Sequence, residues 1–135
     1  MRNVVITAGG TSEKIDEVRL ISNFSSGRLG LAVAKCFLES KTANIGKIYY
    51  LCDRNTIVPD DERVEAVRVL GAQGLLDALE NLLATKKIDA VIHAMAVSDY
   101  TVKQVTTIGA IKAGEEDRDK LTEEEKISSE IDDLV

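Results

Sequence analysis

Glycine and serine residues in the first thirty positions have the types and the spacing of an anion-binding loop. Gly9 and Gly10 follow a short apolar run, and exposed backbone N–H groups there allow a phosphate to approach closely. Ser25, Ser26 and Gly27 precede a segment with helical spacing, and a helix N-terminus favours bound phosphate. The pattern predicts an anion site, and a structural loop that ends in helix caps is the alternative.

Polar side chains between these two groups add further chemistry to the loop. Arg19 and Arg28 bring positive charge, and the amide of Asn23 offers both a donor and an acceptor. An amide of this kind suits a carboxyl derivative better than a bare phosphate. We therefore count Asn23 and Arg19 among the candidate site residues.

The elements that must position this loop follow from the spacing of the apolar residues. Apolar runs without polar alternation predict buried strands, and a spacing of i, i+4 and i+7 predicts amphipathic helices. The predicted strands are residues 3–7, 47–52, 64–70 and 89–93, and the predicted helices lie at 29–38 and 75–83. This order favours a Rossmann-like, doubly wound α/β fold with a mainly parallel sheet in a three-layer α/β/α arrangement.

Ligands of such sheets bind beyond the carboxyl ends of the strands. That rule brings residues 8–23, 53–55 and 94–100 to one rim. We divide the chain into a nucleotide- and substrate-binding core at residues 1–100 and a second part at residues 101–135. The second part is predicted to be an acidic mobile loop and the start of a C-terminal portion.

The first rim loop differs from a dinucleotide-binding turn. About seventeen residues separate Thr7 from the predicted helix, whereas the G-x-G-x-x-G fingerprint joins strand and helix within a few residues. The glycines stand at Gly9 and Gly10 and then only at Gly27 and Gly30. An NAD fingerprint is therefore a poor match, and loops of this length in compact domains are usually functional.

Composition narrows the class of protein. The net charge of the 135-residue chain is −6, and the acidic residues concentrate after residue 114 without any basic stripe, so nucleic-acid binding has little support. No apolar run is long enough for a membrane span, and the N-terminus does not resemble a secretory signal, so a cytoplasmic protein is expected. Cys36 and Cys52 are predicted to be buried, reduced thiols.

Three motifs resemble those of the phosphopantothenate–cysteine ligase family. Residues 6–30, ITAGGTSEKIDEVRLISNFSSGRLG, are similar to the opening signature of that family. Residues 92–100, IHAMAVSDY, resemble its alanine-rich turn, in the form found in stand-alone bacterial ligases. Residues 126–129, KISS, resemble its Lys-Ile motif, after which the family domain is normally longer than this chain. From that difference we expect the chain alone to have little or no ligase activity.

The resemblance implies a nucleotide-dependent ligase of coenzyme A biosynthesis. Members of the family join 4′-phosphopantothenate to cysteine and activate the carboxylate as an acyl-nucleotide. CTP is the expected co-substrate and ATP the alternative. Mg²⁺ is expected to bridge the phosphates without a dedicated protein metal site, and a homodimer is expected.

The resemblance also implies a role for individual residues. Asn23 matches the residue that holds the acyl-nucleotide, Arg19 acts in the same half-reaction, and Lys126 matches a mobile-loop lysine that reaches the triphosphate. The residues expected to contact the nucleotide or its phosphates are Gly9, Gly10, Thr11, Ser25, Ser26, Gly27, Ala94, Ala96 and Asp99.

Several alternatives remain open at the level of sequence. Asp99 could cap a turn, Lys126 could be a solvated lysine, and His93 and Asp53 are interpreted as structural residues. Two other classes of protein also fit the fold. One is a Rossmann-type nucleotide-binding module, and the other is an inactive truncated relative that acts as a scaffold.

Overall fold

The computed structural model describes residues 1–109, which form six strands and two α-helices. The elements are β1 (Arg2–Gly10), β2 (Ser12–Lys14), β3 (Leu20–Ser22), α1 (Arg28–Glu39), β4 (Ile45–Cys52), β5 (Val64–Arg68), α2 (Gly71–Thr85) and β6 (Ala90–Ala96). Lys126 and most of the predicted acidic loop lie outside the described residues. Among residues 1–109, no helix has the length and apolar content needed to cross a membrane.

A four-stranded sheet in the order β5-β4-β1-β6 forms the centre of the fold, and all its neighbouring strands are parallel. Alternate residues of β1 point to opposite faces, as the two-residue period of a strand requires. Val4, Ile6 and Ala8 pack under α1, whereas Val5 joins a second cluster with α2. The four predicted strands, the two predicted helices and the three-layer Rossmann-like arrangement are therefore confirmed.

A short antiparallel hairpin lies where the sequence predicted a continuous loop. Strand β1 runs to Gly10, and β2 then pairs with β3 so that Ser12 faces Ser22. The two serine hydroxyls are 2.7 Å apart, within hydrogen-bond distance. Each strand of the hairpin has only three residues. Such short polar strands show no period of their own in the sequence, which is why the hairpin was not predicted.

Glu13 joins this hairpin to α2, which packs on the face of the sheet opposite α1. Helix α2 begins after Leu70, which provides no side-chain cap. Instead, the backbone N–H of Ala72 donates to Oε1 of Glu13 at 2.7 Å. A carboxylate at a helix N-terminus satisfies a free N–H group and interacts favourably with the helix dipole. The hairpin is therefore fixed from outside by a residue 59 positions away in sequence from the N–H that it caps.

Of the three candidate cap residues of α1 the structure has Gly27 as the cap, and the prediction that Cys36 is buried was wrong. The residue before α1 is Gly27, with a φ of 70°, and no serine side chain caps the helix. Gly27 can serve there because a left-handed backbone is open to glycine without a steric penalty. Cys36 is exposed on α1, whereas Cys52 is buried as predicted. The apolar neighbours of Cys36 in sequence did not reveal that its own position faces outward.

We expect Glu13→Ala to lower the free energy of unfolding by about 1 kcal/mol, a typical loss for a helix cap. Glu17→Ala is the matched control, because Glu17 lies in the same hairpin and makes only an exposed ion pair with Lys14 at 3.8 Å. Such pairs contribute about 0–1 kcal/mol and the control should fall near the lower value. Urea unfolding measures both variants, and equal losses would show that the Glu13 cap does not stabilise the fold.

Candidate active site

The candidate active site lies at the carboxyl ends of β1 and β6, where the two strands end side by side. Gly10 is in register with Ala96. The next residue, Thr11, donates its backbone N–H to the Ala96 carbonyl at 3.0 Å. In parallel α/β sheets this end of the strands is the usual location for a ligand. The strands thus bring the glycine-rich segment and the alanine-rich segment together at one point.

Asn23 is held at this point by three contacts. Its backbone N–H donates to the Thr11 carbonyl at 3.0 Å, and its side-chain Nδ2 donates to the Ala96 carbonyl at 3.3 Å. The chain also passes directly over Gly10, because a Cβ at that position would lie 2.2 Å from the Asn23 carbonyl oxygen. No larger residue could stand there without moving the backbone. One Nδ2 hydrogen and Oδ1 of Asn23 therefore remain available to a ligand.

Thr11 connects the two strands from inside and is 1% exposed. Its Oγ1 accepts the backbone N–H of Ser98 at 2.8 Å and lies 2.8 Å from the Ser98 hydroxyl. It also lies 3.5 Å from the Ala96 carbonyl. These contacts use the hydroxyl group fully, so the predicted contact between Thr11 and a phosphate would require breaking them. Sequence reasoning did not identify Ser98 as its partner.

Gly9 and Gly27 approach each other over the side chain of Thr56. A Cβ at Gly9 would lie 2.1 Å from Thr56 Oγ1, and one at Gly27 would lie 2.6 Å from Thr56 Cγ2. Protein atoms therefore fill the space beside both glycines, and only their backbone N–H groups could serve a phosphate. Thr56 is fixed in turn by Asp53, whose Oδ1 accepts its N–H and hydroxyl groups. Asp53 is thus a turn residue, as predicted.

Ser25 and Ser26 stand beside the N-terminus of α1 with hydroxyl groups that bond to nothing in residues 1–109. Ser25 is half-buried and Ser26 is exposed. The first N–H groups of α1 have no side-chain cap either. Free hydroxyl and N–H donors at a helix N-terminus are the groups that phosphate oxygens accept from. Among the predicted phosphate contacts, the two serine hydroxyl groups and the first N–H groups of α1 include the most hydrogen-bond donors that are not used within residues 1–109.

The alanine-rich segment meets the site with its backbone. The Ala96 carbonyl already accepts from Thr11 and Asn23, and the Ala94 N–H donates to Thr7 Oγ1 at 3.1 Å. These two predicted backbone contacts to a nucleotide are thus committed to the protein. Asp99 is exposed, and its carboxylate has no hydrogen-bond or ion-pair partner within the described part of the chain.

His93 lies on β6 next to the site and makes a structural hydrogen bond. Its Nδ1 is 2.8 Å from Oγ1 of Thr7, the same buried hydroxyl group that accepts from the Ala94 N–H. The predicted structural role fits this contact. The residue is nevertheless exposed, because β6 lies at the edge of the four-stranded sheet described here.

Arg19 lies at the tip of the hairpin and is bound to Asp16. Its Nε donates to Asp16 Oδ2 at 2.6 Å and its Nη2 contacts the same oxygen. Asp16 Oδ1 accepts the backbone N–H groups of Val18 and Arg19. The Arg19 hydrogen bond, aided by that from the Val18 N–H, lowers the pKa of Asp16 to about 2. The structure thus places Arg19 in its own turn, with partners different from those of Asn23.

The Asp16–Arg19 pair should open as the pH falls from about 4 to 2. The folded-state pKa of Asp16, about 2, lies below the ordinary value of 3.8, so the pair stabilises the fold above pH 4 and is lost as Asp16 is protonated. Asp61 also has a pKa of about 2, through its bonds to Arg63, and therefore titrates in the same range. The side-chain carboxyl resonance of Asp16 must consequently be followed individually by NMR. A midpoint close to 3.8 would contradict the pairing.

A second prediction concerns the Thr11 hydroxyl. We expect Thr11→Val to speed hydrogen exchange at the Ser98 amide about tenfold or more, because a lost hydrogen bond of roughly 1.4 kcal/mol corresponds to a factor of ten. Thr11→Ser keeps the hydroxyl group and should retain most of the protection. Amide exchange followed by NMR checks both variants. Equal exchange at Ser98 in the two variants would show that the hydroxyl does not hold this turn.

The described residues contain no group of three His, Cys, Asp or Glu side chains that could hold a metal ion. The predicted lysine contact, Lys126, lies outside the described residues.

Comparison with known proteins identifies the family of the chain. Residues 1–133 match the model of the DNA/pantothenate metabolism flavoprotein C-terminal domain. The chain belongs to this family. The coenzyme A biosynthesis bifunctional protein CoaBC of Haemophilus influenzae is 36% identical over 129 residues, which are 96% of this chain and 30% of that protein. The CoaBC protein of Thermococcus kodakarensis is 37% identical over 84% of this chain and 27% of its own length.

Solved structures of the family have the same fold. The DNA/pantothenate metabolism flavoprotein from Streptococcus pneumoniae aligns with a TM-score of 0.70 and 27% identity, over 84% of this chain and 50% of that one. The C-terminal domain of a CoaBC protein aligns with a TM-score of 0.61 and 36% identity, over 76% and 48% of the two chains. The chain thus spans about half the length of these family structures.

Proposed function

We propose that this chain carries part of the active site of a phosphopantothenate–cysteine ligase, a nucleotide-dependent enzyme of coenzyme A biosynthesis. Membership of the family supports the pathway, because the curated relatives are coenzyme A biosynthesis proteins. The observation that carries the proposal is the placement of Asn23, where β1, β6 and the end of the hairpin meet. Asn23 stands near the start of α1, where hydrogen-bond donors without a partner among the described residues could bind a phosphate.

The proposed reaction has two steps. The carboxylate of 4′-phosphopantothenate attacks the α-phosphorus of CTP, and pyrophosphate leaves with the electron pair of the broken P–O bond. The amine of cysteine then attacks the acyl carbon, loses a proton and expels CMP. Activation is needed because a carboxylate has no adequate leaving group for attack by an amine. Positioning and charge stabilisation supply most of the catalysis in such a mechanism.

Asn23 is proposed to hold the acyl-nucleotide during the second step. Its bond to the Ala96 carbonyl orients the amide and leaves one Nδ2 hydrogen and Oδ1 for the ligand. The free hydrogen can donate to an oxygen of the mixed anhydride, and Oδ1 can accept a hydrogen bond from the attacking amine, whose proton then passes to solvent. A fixed amide costs little reorganisation during the reaction, which favours the transition state.

Phosphate binding is proposed for the start of α1. The free hydroxyl groups of Ser25 and Ser26 would donate to phosphate oxygens together with the first N–H groups of the helix. Gly9, Gly10 and Gly27 would contribute backbone groups only. Mg²⁺ would enter with the triphosphate, and Asp99 is a free carboxylate at the same rim.

Arg19 is proposed to act in the same half-reaction when it binds an anion in place of, or together with, Asp16. Its guanidinium already shares one carboxylate, so it presents less net charge than an isolated arginine. The proposal further includes CTP rather than ATP, a homodimer, a cytoplasmic location and a triphosphate contact from Lys126. The co-substrate, the homodimer and the Lys126 contact rest on the family resemblance, and the location is the expectation drawn from the composition of the sequence.

The role of Asn23 is tested by replacing it with Asp, which keeps the shape and removes the amide hydrogens. We expect Asn23→Asp to bind CTP within about threefold of the parent chain, because the phosphate donors lie elsewhere. We also expect turnover of the acyl-nucleotide by cysteine to fall at least about 100-fold, as for the loss of an oriented donor. Calorimetry measures the binding, and phosphorus NMR follows CMP release.

The 135-residue chain, with CTP, 4′-phosphopantothenate and cysteine, is the reference in these measurements. If its turnover is too low to follow, acyl-nucleotide prepared separately serves as the substrate. Asn81→Asp is the matched control, because it makes the same substitution at an exposed position of α2 that lines neither the candidate active site nor the second cleft. Unchanged turnover in Asn23→Asp removes the proposed role, and absence of binding by CTP and ATP removes the ligase proposal.

A further inference from the structure

A second cleft opens between the hairpin and the loops that follow β4 and β5. Its volume is about 590 Å³, which lies within the range of small-molecule sites. Ser12, Lys14, Leu20 and Ser22 belong to its hairpin wall, and residues 53–55 and 68–70 form the opposite wall. None of the residues proposed for the ligase reaction lines it.

Two arginines of this cleft lie among its lining residues without an ion-pair partner in the described part of the chain. Nη1 of Arg68 donates to Cys52 Sγ at 3.2 Å, to the Thr56 carbonyl at 3.0 Å and to the Asp53 carbonyl. These acceptors are uncharged, so they fix the guanidinium without neutralising it. Within residues 1–109, neither Arg68 nor Arg54 forms an ion pair.

The acidic side chains of the cleft are already engaged. Glu17 pairs with Lys14 at 3.8 Å on an exposed part of the hairpin. One carboxylate oxygen of Asp53 accepts from the N–H and hydroxyl groups of Thr56. Thr56 is uncharged, so Asp53 keeps its negative charge, and the lining carries three basic and two acidic side chains. The two guanidinium groups, neither of which is in an ion pair within residues 1–109, leave the cleft with a net positive charge. Arginine is the side chain best suited to phosphate, because its planar fork can bind two oxygens.

Apolar side chains line the same cleft and remain open to solvent. Val18 is 76% exposed and Leu70 is 53% exposed. Leu20 lies beside them at the hairpin and is half-buried. Binding sites for small molecules commonly combine an apolar wall with a few charged or polar groups that fix orientation. A ligand for this cleft should therefore have an anionic group and an apolar or planar body.

We infer that this cleft binds a small phosphorylated metabolite. The phosphate lies against Arg54 and Arg68, and the body of the ligand packs on Val18, Leu20 and Leu70. A nucleoside monophosphate and a phosphorylated pantothenate derivative share this chemistry. Ser22 lines the cleft and Asn23, the next residue, does not. This site does not depend on the proposed ligase activity.

The test is a titration of the 135-residue chain followed by backbone amide NMR. The probes are inorganic phosphate, CMP and 4′-phosphopantothenate, each added separately. We expect the resonances of residues 53–55 and 68–70 to shift, with at least one organic phosphate binding about fivefold or more tightly than inorganic phosphate. Of CMP and 4′-phosphopantothenate, the probe that binds more tightly shows whether the apolar wall accepts a nucleoside or a pantothenate group.

Arg54→Ala should weaken this binding about tenfold, which is the loss expected for one charge-assisted hydrogen bond. Arg54 is exposed and forms no hydrogen bond or ion pair in the described chain, so the variant should fold like the parent. Lys41→Ala is the control. It removes the same charge from an exposed turn before β4. That turn lies at the amino ends of the strands, away from the cleft, so the variant should change binding less than twofold.

Three results would overturn the inference. Resonance shifts confined to Asn23 and residues 25–27 would place the ligand at the candidate active site and not in this cleft. Equal weakening by Arg54→Ala and Lys41→Ala would show diffuse charge attraction, and equal affinity for all three probes would show that the apolar wall contributes nothing. Cleft binding retained in Asn23→Asp would separate this site from the ligase proposal, whereas its loss in that variant would join the two.

Discussion

The carbonyl oxygen of Ala96 is the point at which three parts of the chain meet. It accepts the backbone N–H of Thr11, where β1 leaves the sheet, and the side chain of Asn23, where the hairpin ends. Between these two hydrogen bonds and α1 the chain passes over Gly10, whose missing Cβ makes room for the Asn23 carbonyl. The position of the catalytic candidate is therefore a consequence of backbone hydrogen bonding across the ends of two parallel strands.

The hairpin extends this constraint to the rest of the fold. Its first strand is tied to α2 by Glu13, its tip is closed by the Asp16–Arg19 pair, and its last strand leads into Asn23. One face of the hairpin forms a wall of the cleft that holds Arg54 and Arg68. The element that connects these contacts has only six paired residues.

Sequence reasoning succeeded where a local signal and a tertiary role agreed. The apolar runs that became β1, β4 and β6 are buried on both faces of the sheet or lie beside a strand that is. Their hydrophobic residues therefore predicted strands without any knowledge of the residues that they contact. Sequence reasoning could not choose among Ser25, Ser26 and Gly27 as the cap of α1, since a serine is a good cap only if the backbone brings its oxygen to the helix. Gly27 takes that position instead, in a left-handed conformation.

The sequence by itself determined the class of fold, the family and the residues that could act, because apolar periodicity and the long glycine-rich motif are both readable along one chain. The tertiary structure alone decided which of those residues remain available. Thr11 and Ala96 are occupied by contacts 85 positions apart, whereas Ser25 and Asp99 are left without partners among the described residues. Hydrogen bonds between distant segments depend on strand register, and register is set by packing that no local pattern records.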